Sequence, residues 1–572
     1  MKFATGKPSI DRPWLKYYSK EAVNSTFPEE TICTYMMQNN QEHLSNTALF
    51  YGGRRISYGS MFDEIENTAR ALTAAGVRSG EIVTMCLPVI PEAVYLLYGV
   101  NRVGGTINSV DPRSSLSSIQ KYLNGTNTKV LFVFDAVAPK IAQLLDGTGV
   151  ETVVVISPLQ SLPAPARTAM NLAGKGAKIP DDRRFISWPR FLKNGVKQPQ
   201  QAPAPHVKNA PAVIVYTGGT TGVSKGVMLS DDALNALAHQ YRISPLGFRR
   251  EHRFLDIMPP FIAYGIGNSI HMPLSIGMEV VLIPAFVPEQ FDELILKYKP
   301  NIIAGVPTYW QHVINSDRMK GKDLSFLLCP ASGGDAMDPK LETALNEFLR
   351  AHNVSHAAVK GYGLTEVASA ACVSFDEGND MGSVGVPFLG NLISAFEPGT
   401  ERELSCGEMG EIYISGPAAM LAYHHNPEET EAVMRRHADG TVWVHTGDLG
   451  HISSDGLVYI DGRIKRLIIR SGFKVFPGYI ERLLLEHEAV AQCTVVGVPD
   501  PIDINIPIAH IVLKDAFRDQ EKQVEAQLLE ICRARLSEYQ IPVAFHFRAA
   551  IPTTNIGKVD YRALQEESAN IA

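Results

Sequence analysis

The chain has 572 residues, 45% of them hydrophobic and 20% charged, with a formal net charge of −7. That length exceeds one hydrophobic core and predicts roughly three to four domain-sized units of an ordinary globular enzyme. An acidic balance without a dense basic block excludes a nucleic-acid partner, and no apolar run reaches the ~18–20 residues of a membrane span.

Met1–Pro8 lacks the apolar core of a signal peptide. Seven cysteines lie far apart with no Cys-x-x-Cys pair, and sixteen histidines show no metal-ligand spacing. A zinc ribbon or disulfide scaffold is therefore not expected, and a reducing cytoplasm is.

From Ile56 to Leu144, helical patterns (Met61–Ala75, Pro91–Val103) alternate with short apolar runs (Ile82–Leu87, Val130–Phe134). This alternation predicts an α/β sandwich with a mostly parallel sheet. Ser157–Pro211, rich in Pro, Ala, Gln and Lys, predicts a long surface excursion. A second α/β unit is expected from Ala212 to about Phe375. Shorter, Gly-punctuated segments near Gly385–Gly416 and Val442–Ile460 suggest a small β-barrel. From Arg463 onward an α+β module is expected, with strands at Gln492–Val498 and His510–Lys514. Its helix over Gln520–Leu536 places Val524, Leu528, Ile531 and Leu536 near one face. The fold class is thus α/β: a large N-terminal domain (1–462) of two α/β sandwich subdomains plus a small β-barrel, followed by a small α+β C-terminal domain (463–572).

Within the second unit, Tyr216-Thr217-Gly218-Gly219-Thr220-Thr221-Gly222-Val223-Ser224-Lys225-Gly226 follows an apolar strand, Pro211–Val215. Glycines let backbone N–H groups close on an anion, and hydroxyls and a lysine add donors and charge, which is chemistry for holding polyphosphate. A P-loop NTPase is excluded by order, because Gly-Lys-Ser/Thr must open a helix. Here Ser224-Lys225-Gly226 occurs instead, and the next helix starts later, with Ser230 as N-cap.

This run resembles the phosphate loop of the adenylate-forming superfamily, and its Thr-Gly-Gly-Thr-Thr-Gly form is similar to that of fatty-acid–CoA ligases. Further motifs follow in the superfamily's order. Ala331-Ser332-Gly333-Gly334-Asp335 resembles the segment that accepts adenine and borders the acyl pocket, and Gly361-Tyr362-Gly363-Leu364-Thr365-Glu366 the next motif. By resemblance Tyr362 lies against adenine, Thr365 reaches the α-phosphate and Glu366 holds Mg²⁺, a hard cation that wants carboxylate oxygen. Thr446-Gly447-Asp448 resembles the ribose-binding turn, and Asp461-Gly462-Arg463-Ile464-Lys465-Arg466 the domain junction. The resemblance puts Ile460 and Arg463 at the nucleotide, with Arg463 on ribose or phosphate, and makes Lys465 the hinge of a mobile C-terminal domain. Ser471-Gly472-Phe473-Lys474 matches the loop brought in for thioester formation, and Pro552-Thr553-Thr554-Asn555-Ile556-Gly557-Lys558 the C-terminal signature, with Lys558 the catalytic lysine.

The resemblance implies ATP, Mg²⁺ and coenzyme A, and an acid activated as its adenylate. The acyl segment Met258–Asn268, with Phe261, Tyr264 and Gly265, carries no charge. An α-amino acid would leave its ammonium buried and unpaired there, so an apolar carboxylic acid is expected. Together with Gly333 and Gly361, these residues form the expected acyl pocket. Arg12–Tyr18 resembles the N-terminus of fatty-acid–CoA ligases, whereas Phe261–Asn268 resembles the matching segment of benzoate–CoA ligases. A fatty acid is favoured, with an aryl acid as the alternative. Two positions depart from the pattern: Ile262 stands where many relatives carry His, and Ile504-Asn505 where they often have Gly-Glu. No carrier domain follows Lys558, so the thiol is expected in trans, from coenzyme A or from a carrier-protein phosphopantetheine. A nucleotide-binding protein without turnover is the alternative of another class. Peripheral membrane contact is left open, as is a monomer against a homodimer.

Overall fold

The computed structural model describes residues 5–172, 179–217, 224–471, 473–553 and 559–569. Two large sheets form the body. One has nine strands, with Val359–Tyr362, Cys329–Ser332, Ile302–Gly305, Arg253–Asp256, Glu279–Leu282 and Thr47–Tyr51 as neighbours in that order. These neighbours run parallel to one another. The other has eight strands, and at its centre Pro211–Tyr216, Thr106–Ser109, Ile82–Cys86, Val130–Phe134 and Thr152–Ile156 lie side by side. Helices such as Tyr58–Ala74 and Pro91–Arg102 cover the sheets, and the second of these is buried along its whole length. Burial on every side explains why strands such as Val130–Phe134 read as unbroken apolar runs.

The strand Pro211–Tyr216 pairs with Thr106–Ser109 and so belongs to the sheet of residues 82–187, not to the following unit. Conversely, Thr47–Tyr51 pairs with Glu279–Leu282 in the other sheet. The units are interleaved because an apolar strand carries no mark of its partner. The 157–211 excursion is more structured than its composition implies. It adds the edge strand Phe185–Ser187 and the helix Trp188–Gly195, which buries Trp188 and Phe191.

The expected small barrel is an open sheet instead. Leu392–Phe396, Gly410–Ser415, Val442–Ile452 and Met434–Arg436 pair in that order, and Val458–Arg463 branches from Val442–Ile452. Among the described residues no pairing closes it. The glycine punctuation marked the strands correctly, but closure depends on an edge pairing that local sequence does not encode.

A fourth sheet, of five strands from residues 468 to 547, packs on the helices Pro477–Leu485 and Glu521–Arg535. The latter helix buries Val524, Leu528 and Cys532, with Ile531 half-buried beside them. Among the described residues no helix is long and apolar enough to cross a membrane.

Candidate active site

Strand ends from three sheets converge on the motifs. Val359–Tyr362 is anchored by Lys360, whose buried ammonium lies 2.5 Å from Glu342 Oε1 and donates to the Asp380 carbonyl at 2.8 Å. Its neighbour Cys329–Ser332 brings Gly333 alongside. A Cβ on Gly333 would lie 3.3 Å from the Gly361 oxygen and 3.5 Å from the Tyr264 hydroxyl. Three of the expected acyl-pocket residues therefore meet at one point. Beyond Tyr362 the chain reverses through a single turn, Thr365–Val367, and two left-handed residues, Ala368 and Ser369. A Cβ on Gly363 would fall 1.8 Å from the Ser369 oxygen, so only glycine permits this return.

The expected adenine and ribose residues form one bonded unit. The Tyr362 hydroxyl donates to Asp448 Oδ2 at 2.5 Å, and Arg463 Nε lies 2.6 Å from Oδ1. Arg463 and Asp448 are cross-strand partners, so the sheet register itself delivers the guanidinium. Thr446 holds the turn, donating to the Ile412 carbonyl at 2.7 Å and accepting from Asp448 N–H at 3.0 Å. Gly447 N–H donates to Glu411 at 3.1 Å. Burial, reinforced by Asp448, pushes the Tyr362 phenol well above its ordinary value and keeps it a donor. Ile460 borders the same apolar cluster as Tyr362 and Leu364.

At the phosphate end, Pro211–Tyr216 and Gly226–Ser230 form an antiparallel hairpin, and Ser230 caps the next helix by accepting from Ala233 N–H at 3.0 Å. Thr217 and Lys225 close its base. Thr217 N–H donates to the Lys225 carbonyl at 3.0 Å, and Lys225 N–H returns to Thr217 Oγ1 at 3.2 Å. Gly218, Gly219, Thr220, Thr221 and Gly222 lie outside the described residues. The Lys225 ammonium lies 2.5 Å from Glu429 Oε2 and 4.7 Å from the Tyr423 ring centre. The Tyr423 hydroxyl donates to Glu366 Oε1 at 2.6 Å. Among the described residues no three His, Cys, Asp or Glu side chains gather as a metal cage. One carboxylate, Glu366, with the hydroxyl of Thr365 beside it in sequence, is an all-oxygen donor set. It fits Mg²⁺ that arrives with nucleotide phosphates.

The small-domain residues are differently placed. Lys465 is exposed in the turn Ile464–Arg466, directly after the strand that carries Arg463. Ser471 donates to Asp503 Oδ1 at 2.6 Å, beside Arg470 at 2.8 Å from the other oxygen. Phe473 stacks on Tyr539 with ring centres 4.6 Å apart. These contacts lie within the small domain and do not reach the Tyr362–Asp448 unit. Gly472, the Lys474 side chain and Lys558 lie outside the described residues. Tyr561, three positions after Lys558, packs beneath the Arg466 guanidinium at 4.1 Å. Burial pushes its phenol up against the opposing Arg466 charge, with smaller contributions from Glu481 and Asp335. Asp335 itself is exposed, as is Gly334, which is left-handed with φ 78°.

Sequence reasoning missed several residues. Buried Asp461, quoted above as the first residue of the junction motif but given no role there, pairs with Arg482 of the small domain and lies 3.4 Å from His451 Nδ1. Burial pushes its carboxyl up, but His451 and Arg482 outweigh that and hold it below the ordinary range. Lys340 donates to the His487 carbonyl at 2.9 Å across the same cleft. Arg113, chelating Asp111, sits 5.3 Å from the ring centre of Phe261, which is buried. Each of these acts through a partner distant in sequence, and no local signal reveals that partner.

The fold and the convergent site define a nucleotide-activating enzyme. Residues 36–424 match the AMP-binding enzyme family and residues 479–558 match the AMP-binding enzyme C-terminal domain. The chain belongs to this adenylate-forming family. It is 28% identical over 564 residues to a long-chain-fatty-acid–CoA ligase of Bacillus subtilis (strain 168), covering 97% of this chain and 98% of that one. It is 29% identical over 572 residues to a probable 4-coumarate–CoA ligase 1 of Dictyostelium discoideum, covering 96% and 97%. Among solved structures, ATP-bound MatB from Rhodopseudomonas palustris superposes with a TM-score of 0.79 at 24% identity, covering 94% and 99%. A benzoate CoA ligase from Burkholderia xenovorans LB400 gives 0.75 at 20%, with the same coverage. These two share the fold.

Proposed function

We propose that the chain is an AMP-forming acid–CoA ligase, dependent on ATP and Mg²⁺, that activates an apolar carboxylic acid, in first place a medium- or long-chain fatty acid. The observation that carries this is the bonded unit Tyr362–Asp448–Arg463 standing beside an uncharged acyl segment whose Tyr264 meets Gly333 and Gly361. Near full-length likeness to relatives named CoA ligases supports the thiol acceptor.

The acid needs no general base, since it is already ionised at neutral pH. Its carboxylate oxygen bonds to the α-phosphorus while the bond to the β-phosphate oxygen breaks, giving acyl-AMP and pyrophosphate. Bound Mg²⁺ would supply charge neutralisation on the phosphates, held by Glu366. Thr365, Lys225, the Thr217–Gly222 loop and Lys558 would position and stabilise the developing charge. The small domain (463–572) would then turn about Lys465, withdraw Lys558 and present the Ser471–Lys474 loop, so that the thiol attacks the acyl carbon and AMP leaves.

Pyrophosphate release across fatty acids of graded length, benzoate and cinnamate, with and without coenzyme A, tests this. CoA-dependent turnover is expected. A single burst that only a carrier-protein thiol relieves would move the acceptor to phosphopantetheine. No pyrophosphate with any acid would refute the ligase in favour of a nucleotide-binding protein. An aryl acid is the second reading, favoured by the benzoate-ligase-like segment Phe261–Asn268 and by Arg113 over Phe261. A best substrate of benzoate or cinnamate would establish it. Lys558→Ala should abolish pyrophosphate release while sparing ATP binding.

A further inference from the structure

One side chain joins the two halves of the phosphate end. Tyr423 is 3% exposed, and its hydroxyl donates to Glu366 Oε1 at 2.6 Å while its ring lies under the Lys225 ammonium at 4.7 Å. The backbone around it is tied to both sides. Met420 N–H donates to the Glu366 carbonyl at 2.8 Å, and His424 N–H to the Gly226 carbonyl at 2.7 Å. Ala422–Tyr423 pairs with Met228 and Val227, on the strand that leaves the phosphate loop, and Tyr423 N–H donates to Thr430 Oγ1 at 2.9 Å. Glu429, in the first turn of the following helix, takes the Lys225 ammonium at 2.5 Å. A carboxylate meant to meet a metal loses entropy when its rotamer is fixed, and a buried phenol with one fixed acceptor fixes it in advance. A lysine meant for phosphate gains in the same way from an aromatic floor and a half-exposed carboxylate that holds it only loosely.

We propose that Tyr423 is a positioning residue for the magnesium nucleotide, orienting Glu366 through its hydroxyl and Lys225 through its ring, with Glu429 holding the Lys225 charge until polyphosphate replaces it. This rests on Glu366 being the magnesium carboxylate. Binding of ATP to the whole chain, measured calorimetrically with Mg²⁺ and with a chelator, tests it. Tyr423→Phe should weaken ATP binding about tenfold with Mg²⁺, the scale of one hydrogen bond to a charged group, and leave metal-free binding unchanged. Glu366→Gln should do the same or more, and the double variant should be no worse than Glu366→Gln alone. Glu429→Gln, at the surface and without a folding burden, should tighten metal-free ATP binding by freeing Lys225. Equal weakening of Tyr423→Phe with and without Mg²⁺, or none, overturns the role of the hydroxyl. Unchanged metal-free binding in Glu429→Gln overturns the placeholder role. If Glu366→Gln itself leaves the Mg²⁺ dependence intact, the assignment of Glu366 falls, and the orienting role of Tyr423 with it.

Discussion

Gly478 is the second residue of the small-domain helix Pro477–Leu485, and it abuts the end of the large domain. A Cβ there would sit 2.0 Å from the Asp461 carbonyl oxygen and 3.1 Å from its carbon. Both are backbone atoms of the strand Val458–Arg463, which is held on one side by its pairing with Val442–Ile452. Gly478→Ala must therefore push the helix off the strand by more than about 1 Å, a displacement of the size that costs a positioned reaction about a hundredfold. Arg482, one turn further along, would be drawn from Asp461 by the same movement. Overpacking of this kind costs about 1–3 kcal/mol, or roughly five- to 140-fold in the docked population. Within the helix itself, Ala is preferred to Gly by up to about 1 kcal/mol, so the small domain should melt no earlier than in wild type. Docking and folding are thus driven in opposite directions by one methyl group. ATP–pyrophosphate exchange, for which the proposed mechanism needs the small domain docked, should fall at least about fivefold. Thioester formation from supplied acyl-adenylate should be largely spared. Wild-type exchange in Gly478→Ala, or equal loss in both half-reactions, would refute the docking role of this contact.

Asp448→Asn removes the carboxylate shared by Tyr362 and Arg463. It should raise the KM for ATP at least tenfold with little change in that for the acid, as read from initial rates of pyrophosphate release. Gly333→Val places carbon where 3.3 Å separates it from the Gly361 oxygen and 3.5 Å from the Tyr264 hydroxyl. kcat/KM should then shift toward shorter acids across a chain-length series. Glu92 is buried, with one oxygen bonded to Ser161 and the other unpartnered, and burial raises its pKa to about 7. The folded state thus keeps a proton that the unfolded chain has already lost. The resulting penalty is absent below about pH 4, grows until about 7 and is constant above, reaching roughly 3 kcal/mol. The advantage of Glu92→Gln in Tm should follow that curve, and an advantage independent of pH would show that Glu92 stays ionised in the fold.

The parts of the site legible in the sequence are those whose residue types conflict with simple folding. Glycines cluster at Gly333, Gly361 and Gly363 where apolar strands end, and the structure uses Gly333 and Gly363 for close approach of chain to chain, to 1.8 Å from a would-be Cβ at Gly363. Hydroxyls and a lysine packed against a strand end, as at Thr217 and Lys225, conflict with a buried sheet unless a ligand is to be held. Tyr423, Asp461, Arg482 and Lys340 conflict with nothing locally. A tyrosine in a short strand or an arginine on a helix is ordinary, and each matters only because of what the tertiary fold sets opposite it. The same holds for Pro211–Tyr216, whose apolar run states that it is buried without stating beside which strand, and for the expected barrel, whose strands pair but do not close. Arg463 joins the two kinds. Its motif was readable, but its meeting with Asp448 comes from antiparallel register between Val442–Ile452 and Val458–Arg463, with the irregularity falling between Leu449 and Gly450. A slip of one residue there would turn Arg463 to the opposite face. On the proposed function, nucleotide recognition at this end depends on a sheet register that the motif residues do not themselves impose.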